Sequence, residues 1–560
     1  MNNIRSIKYI INDTIYEIID LIKRLKPFST PKAYQNYLKN KKRWKNGIKI
    51  LEKLSCSEYL GPHKEVDING SILIDGIWEN ANYWLRYTLL RKGLSLYNHE
   101  EIGLIGMYNT KKVSEIFKSF NIKKTVSLKI SKDQHNACVN KAKYLSTKFR
   151  EAEDILKYKW PNNIPSAIIY DEILREQKGA KVDVHHPRFP EHVYKPLAAI
   201  EIAKNIFNNN NFGLVVLSHI FPHYHSAIIW TAIKKNVPVI IMSGAFGSLR
   251  LTKIEDENDY KLISNAPSPD EIMSLTNQQR DSLYKAGLSY MKKRFLGRGD
   301  DVGSKFAYID RKKSINRDEL CQLFDWPSQR PIVVIYASKW FDTPHAYGMT
   351  NFRDFLDWIE TTIEVAKEVK DVSWLLKAHP CDKWYGGTTL RDVVKEFDDE
   401  NIKFADDDWN GASVIKSVDN LITVHGTAGL EYSCMNKPVL CADRGWYSDS
   451  GFVKVATSKS NYIDLLHTKW WLDIDSKSSY RNAVTFTGFF YSVPSIQDNF
   501  VFPDDIIQDE LYDLLDVLIN KKVASVKYDV KKIYEWYKSG KKTYHPYKMK
   551  YSEKYTEIIN

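Results

Sequence analysis

Short apolar runs alternating with amphipathic stretches constrain this chain more than any other feature. SILIDG (71–76), EIGLIGM (101–107), GLVVLSHI (213–220) and VPVIIMSG (237–244) are each too short for a buried helix and too continuously apolar for a half-exposed strand. Between them, ENANYWLRYTLLRKG (79–93), KKVSEIFKSF (111–120) and HYHSAIIWTAIKKN (223–236) carry helical spacing. Strands buried on both faces and separated by helices form βαβ units, in which a parallel sheet is covered on both sides. The series restarts at RPIVVIYAS (330–338) and runs through FRDFLDWIETTIEVAKEV, VSWLLKAHP, TLRDVVKEF, NIKFA, SVIKS, DNLITVHG, TAGLEYSCMN and KPVLCA (437–442).

At 560 residues the chain exceeds what one core supports. The expected fold class is α/β, with two Rossmann-like doubly wound lobes facing a cleft and an extra N-terminal helical segment. The expected divisions are a basic amphipathic helical extension (1–55), a first lobe for the acceptor (56–270), an interlobe connection that reads as charged and irregular (271–330), a second lobe for the donor (331–500), and C-terminal helices with a basic tail (501–560). A helix is expected over 3–26, helical segments inside the first lobe near 135–160 and 190–207, and two last helices over 500–540 that pack back across the first lobe.

The net charge of +12 is concentrated at the two ends. Residues 1–55 hold 13 Lys and Arg against 4 Asp and Glu, and residues 521–560 hold 11 against 4. The central part is therefore slightly acidic, which argues against nucleic acid as a partner. Polybasic ends suit an anionic membrane surface such as the inner leaflet, at roughly 1 kcal/mol per Lys or Arg; a solvated lysine-rich surface is the alternative. Six scattered cysteines without CxxC or His/Cys spacing fit reduced thiols and no structural metal. The N-terminus lacks a signal-like apolar core and no run of about 18 apolar residues occurs, so a cytoplasmic protein is expected, peripheral to the membrane at most.

Two second-lobe segments carry chemistry. Lys377-Ala378-His379-Pro380 ends one buried strand, and His425-Gly426-Thr427-Ala428-Gly429-Leu430-Glu431 joins another to a helix. Gly426 and Gly429 would let the backbone approach a ligand, Thr427 would cap the helix, and the N–H groups of its first turn would receive a phosphate. Glu431 would accept from ribose hydroxyls, and His379, a neighbouring strand end away, would donate to the leaving phosphate. Lys339 and Trp340, at the end of the lobe's first strand, would contact phosphate and sugar, and Arg444, Trp446 and Tyr447, after the last strand, would close over the donor. Asp406-Asp407-Asp408 reads as a solvated loop near Trp409 rather than a metal site. In the first lobe, candidates for a general base are Asp75 and Glu79 after the first strand, and His219, His223 and His225 after VVLSH.

KAHP followed by HGTAGLEYSCMNKPVL resembles the donor lobe of capsule-polysaccharide glycosyltransferases, including the Kdo-transferase-like proteins of capsule assembly. That family pairs a His-Pro strand end with a Ser/Thr-Gly-x-Glu turn leading to Gly-Lys-Pro-Val. Here Thr427, Gly429, Glu431, Lys437, Pro438 and Val439 match, with Asn436 where glycine is usual. A looser match runs from Ser218-His219 to Val237-Pro238-Val239, so the likeness spans about 200–450. The resemblance implies a GT-B fold, no cofactor or obligatory metal, a CMP-, UDP- or GDP-sugar donor, and a polysaccharide or lipid-linked acceptor. UDP-sugar 2-epimerases and polyol-phosphate polymerases share parts of these motifs, and a non-catalytic capsule-assembly scaffold would share the fold.

Overall fold

The computed structural model describes residues 31–55, 66–77, 81–106, 110–221, 223–243, 249–262, 266–298, 302–309, 311–380, 382, 386–394, 399–491 and 523–544. The helix expected over 3–26, the earlier of the two expected C-terminal helices, and Glu79 lie outside them.

The first lobe is built on β1 (Ser71–Gly76), β2 (Glu101–Ile105), β3 (Lys124–Ser127), β4 (Phe212–Leu217), β5 (Val239–Ser243) and β6 (Arg250–Ile254). The second uses β7 (Ile332–Tyr336), β8 (Ser373–Lys377), β9 (Ile402–Phe404), β10 (Asn420–Thr423), β11 (Val439–Cys441) and β12 (Lys454–Val455). A last strand, β13 (Thr543–Tyr544), returns to the first lobe. The sheet orders are β13-β6-β5-β4-β1-β2-β3 and β12-β11-β10-β7-β8-β9. Every pairing is parallel except β5 with β6 and β6 with β13.

Alternation along each strand explains the two covered faces. Ile72 and Ile74 of β1, with Leu214, Val216, Ile240 and Met242, pack beneath the helices Ala81–Gly93, Thr110–Ser119 and Val523–Lys538. Their neighbours Leu73, Val215, Leu217, Val239 and Ile241 face the opposite way, under the helices Lys132–Lys148, Ser166–Gln177, Phe189–Asn208 and His223–Lys234. That second cluster runs on without a break into Val333, Ile335, Trp358 and Trp374 of the second lobe. The helix Val523–Lys538 does pack back on the first lobe: an added Cβ at Gly93 would lie 2.7 Å from Ile533. Cys138, Cys321, Cys434 and Cys441 are free and buried. Among the described residues no helix is long and apolar enough to cross a membrane.

Strand order fixes where ligands can sit. The chain leaves β1 toward β2 on one side and later lays β4 on the other; β7 stands in the same relation to β8 and β10. Each lobe therefore has a topological switch point, with its crevice at the carboxyl ends of those strands.

One expectation is corrected here. The interlobe connection is not irregular: it folds as helices, including Asn277–Lys293 with a capping box between Thr276 and Gln279. Its many charges obscure an apolar stripe of Leu283, Gly287, Tyr290 and Met291 at helical spacing. That stripe packs against the helix Ser476–Tyr491 at very short range. A Cβ at Gly287 would lie 2.0 Å from the Val484 carbonyl oxygen, and one at Gly488 would lie 1.9 Å from that of Leu283. Gly488→Leu is expected to force the helices apart at a cost of about 1–3 kcal/mol or more, lowering the melting temperature by about 5 °C. A thermal scan showing no shift would contradict this packing.

Candidate functional site

A cavity of about 440 Å³ opens at the switch point of the second sheet. Its walls come from the ends of β7, β8 and β10 and from the turn into the helix Thr427–Ser433. His379, His425, Gly426, Thr427, Glu431 and Lys339 all line it, whereas Lys377 and Gly429 do not. The two motifs are not on adjacent strands as expected, because β7 runs between β8 and β10 and brings Ala337-Ser338-Lys339 into the gap.

The side chains differ in what they can offer. His425 is buried, with its ring 5.9 Å from that of Phe355 and 6.3 Å from that of Tyr347. Its Nδ1 has no hydrogen-bond partner among the described residues. Burial, and then the charge of His345, push its pKa down to about 4. His379 is half-buried and is also held near 4, by burial with Lys339 adding to the effect against Asp382. Both imidazoles are neutral at pH 7 and offer N–H donors or ring acceptors rather than charge.

The cations on and next to this wall are already engaged. Lys339 donates to the Asp382 carboxylate and carbonyl, each at 2.9 Å, so its ammonium braces the loop after β8. Lys377 is buried near the Tyr336 ring, and burial followed by Lys312 lowers its pKa to about 8. Glu431 accepts from Arg294 Nε at 2.7 Å, and both groups are buried. Arg294 was not legible as a site residue, because it follows the connection helix; the stripe ending at Tyr290 and Met291 was the available signal.

The turn differs from expectation in two ways. Gly426, not Thr427, is the N-cap, with extended backbone (φ −68°, ψ 158°) and no side-chain cap. Thr427 thus becomes the first helical residue, and its side chain stays on the cavity wall. Gly429 makes room for protein rather than ligand: its Cβ would lie 2.1 Å from the Tyr447 hydroxyl, which donates to the Gly426 carbonyl at 2.6 Å. Asn436 has φ of 59°, a left-handed position that explains why glycine is usual there and asparagine tolerable. Trp446 lines the cavity, while Arg444 pairs with Asp449 on the surface. The 406–408 segment braces the connection through the Asp407 and Asp408 carbonyls, which accept from Lys312 and the Lys313 N–H.

Residues 343–464 match the family described as capsule polysaccharide biosynthesis protein. That stretch lies within the second lobe. No curated protein matches the chain. Among solved structures, the KpsC β-Kdo 2,4-transferase of Thermosulfurimonas dismutans shares 12% identity over 45% of this chain and 78% of its own, with a TM-score of 0.30. The MnaA–UDP structure from S. aureus shares 12% over 75% of this chain and 92% of its own, TM-score 0.25. A glycosyltransferase of Rickettsia africae shares 11% over 81% and 99%, TM-score 0.24.

At the first lobe's switch point, Asp75 ends β1 and is fully buried. One carboxylate oxygen accepts from the Ile77 N–H at 2.8 Å; the other accepts from the Ser218 N–H, the Ser218 hydroxyl and His225 Nε2 at 3.0, 2.6 and 2.9 Å. Burial alone would raise its pKa, but His225, Ser218 and the Ile77 N–H together hold it well below the usual carboxylate range. His225 is itself buried. His219 is exposed, and His223 pairs with Glu172 at 2.6 Å and Glu176 at 3.5 Å. Burial opposes the charge on His223, yet the two carboxylates outweigh it and hold the pKa up to about 9.

This pair anchors the helix that carries His225. A folded-state pKa above the unfolded 6.5 gives stability that is complete below about pH 6.5 and lost as pH rises through about 9. The loss is on the order of 3 kcal/mol. Denaturant midpoints of wild type at pH 6.5 and 9.5 should therefore differ by more than those of His223→Gln; equal differences would refute the ion pair.

Proposed function

We propose that the chain is a glycosyltransferase. It moves a sugar from a CMP-, UDP- or GDP-linked donor in the second-lobe cavity to a growing surface polysaccharide or its lipid-linked acceptor. The observation that carries this reading is the convergence of His379, His425 and the Gly426-Thr427-Ala428 turn on one cavity at the switch point of the second sheet. The family match over that lobe supports it.

In this account the donor phosphates lie against the Thr427 and Ala428 end of the turn, with Tyr347, Phe355 and Trp446 supplying flat apolar wall for the base or sugar. The neutral His379 donates its N–H to the phosphate oxygen on which charge develops. Nothing in this sequence of contacts requires a metal. The acceptor hydroxyl approaches from the first lobe, where the Asp75 cluster handles its proton. Glu431, clamped by Arg294, holds the shape of the pocket and offers its remaining lone pairs to ribose hydroxyls.

The same reading places the protein at an anionic membrane surface when the acceptor is lipid-linked. The helix Pro31–Ser55 presents exposed Lys39, Lys41, Lys42, Lys45 and Lys49. Trp44 holds it to the first lobe by donating to Glu115 at 2.5 Å, and the helix beneath adds exposed Lys111 and Lys118.

Incubation with labelled CMP-, UDP- and GDP-sugars in the presence of a bacterial membrane lipid extract tests the proposal. The expected outcome is a labelled glycolipid, with free nucleotide released in equal amount. His379→Ala should lower turnover about 100-fold. An isomerised sugar nucleotide would instead identify an epimerase, a phosphodiester a polyol-phosphate polymerase, and no product from any donor a scaffold.

A further inference from the structure

The charges facing the second-lobe cavity leave an anionic donor without a cation. Its lining holds two cations, Arg294 and Lys339, and two carboxylates, Asp342 and Glu431. Arg294 is committed to Glu431 and Lys339 to Asp382, both as buried pairs. Asp342 remains as a carboxylate on the wall of a phosphate site, and two such charges 4 Å apart repel by about 1 kcal/mol even in bulk water. Among the described residues one cation answers Asp342, and it comes from the other lobe. Arg175, in the last turn of the helix Ser166–Gln177, places Nη1 3.5 Å from Asp342 Oδ1.

We infer that Arg175 is a donor-binding residue supplied by the first lobe, its guanidinium bridging Asp342 and a phosphate of the nucleotide donor. This rests on the transferase reading and adds to it the cation that the second lobe does not provide. The pair is too open to serve as a brace. Its side chains are 46% and 60% exposed, and exposed pairs of that kind contribute at most about 1 kcal/mol. The guanidinium is nevertheless held in place. It lies over the Phe221 ring, 5.6 Å from the centroid, and Phe221 in turn meets Tyr347 of the cavity wall with centroids 6.5 Å apart. Nη1 faces Asp342, and among the described residues Nε and Nη2 have no hydrogen-bond partner. A guanidinium presents five N–H donors in a planar fork, so one edge can take a phosphate while another keeps the carboxylate.

The backbone beside Asp342 supports this role. Thr343 has φ of 50°, a left-handed position that a β-branched residue rarely adopts; it is buried, and its hydroxyl has no partner among the described residues. Such strain costs on the order of 1–3 kcal/mol and persists only where the surroundings impose it. Here Asp171, one turn before Arg175 on the same helix, holds the His345 and Ala346 N–H groups. The helix that bends the loop carrying Asp342 thus also supplies the cation that Asp342 meets. The charge of Arg175 is felt at the first lobe's switch point as well. Burial and then His225 bring the His219 pKa down to about 4, and Arg86 and Arg175 add to that effect against Asp75. A cation between the two crevices lies where the transfer takes place. The acceptor oxygen, its proton taken at the first lobe, bonds to the anomeric carbon. The bond from that carbon to the phosphate breaks, its electron pair leaves with the phosphate, and Arg175 meets the charge that develops there.

Titration calorimetry with CMP, UDP, GDP and ADP, each beside its own nucleoside, tests the contact. The nucleotide that binds wild type most tightly should bind Arg175→Ala about 10–100-fold more weakly, while its nucleoside binds both proteins alike. Added salt should weaken that nucleotide's binding to wild type more than to the variant. Without ligand, Arg175→Ala should melt within about 3 °C of wild type, as the loss of an exposed pair allows. An unchanged nucleotide affinity in Arg175→Ala, or a nucleoside affinity that falls as far as the nucleotide's, would overturn the assignment alone. Binding of none of the four nucleotides by wild type would sink the donor-cavity reading beneath it as well.

Discussion

The relation between the two crevices depends on one buried carboxylate. Asp171, on the helix Ser166–Gln177 of the first lobe, accepts from the His345 and Ala346 N–H groups at 2.9 and 3.0 Å and pairs with His345 Nδ1 at 2.7 Å. A carboxylate taken out of water costs several kcal/mol unless donors surround it, so three donors from the other lobe make the docking specific rather than merely sticky. One residue earlier, Tyr170 donates to Asp354 at 2.5 Å, fixing the start of the helix Phe355–Glu368. Between these two ties lies Tyr347, and just beyond them Phe355, both on the cavity wall. The first lobe therefore shapes the second lobe's pocket directly.

Much of this was legible in the sequence. SILIDG, VVLSH, KAHP and HGTAGLE each announced a buried strand ending in polar residues, and the switch points follow from strand order. What stayed hidden were relations set by tertiary packing. Arg294 reaches Glu431 from a helix whose charges masked its apolar stripe. Lys339 looked like a phosphate ligand, but a loop that the sequence does not locate brings Asp382 to it. Gly429 looked like a ligand-facing glycine, and only the fold shows Tyr447 occupying the space a side chain would need. The short strands β3 and β12 lack apolar runs and were missed for that reason.

The two sites share a chemical style. Each holds imidazoles that stay neutral at pH 7, in the cavity at His379 and His425 and at the first-lobe edge in His219. Neutral rings can donate or take a proton without first shedding charge, which suits a reaction whose donor brings its own negative charge into a confined space. The fixed cations, Arg294 and Lys339, are spent on shape through buried pairs.

The most direct test of the account is nucleotide binding at the second-lobe cavity. Thermal shifts with CMP, UDP, GDP and ADP should single out one nucleotide that stabilises wild type, by about 2.7 kcal/mol at a hundred times its Kd. Because His425 Nδ1 has no partner among the described residues, His425→Leu orphans no partner of that nitrogen; the variant should fold and lose the shift. His219→Gln, in the other lobe, should keep it. Stabilisation by none of the four nucleotides, or an undiminished shift in His425→Leu, would contradict the placement of the donor in this cavity.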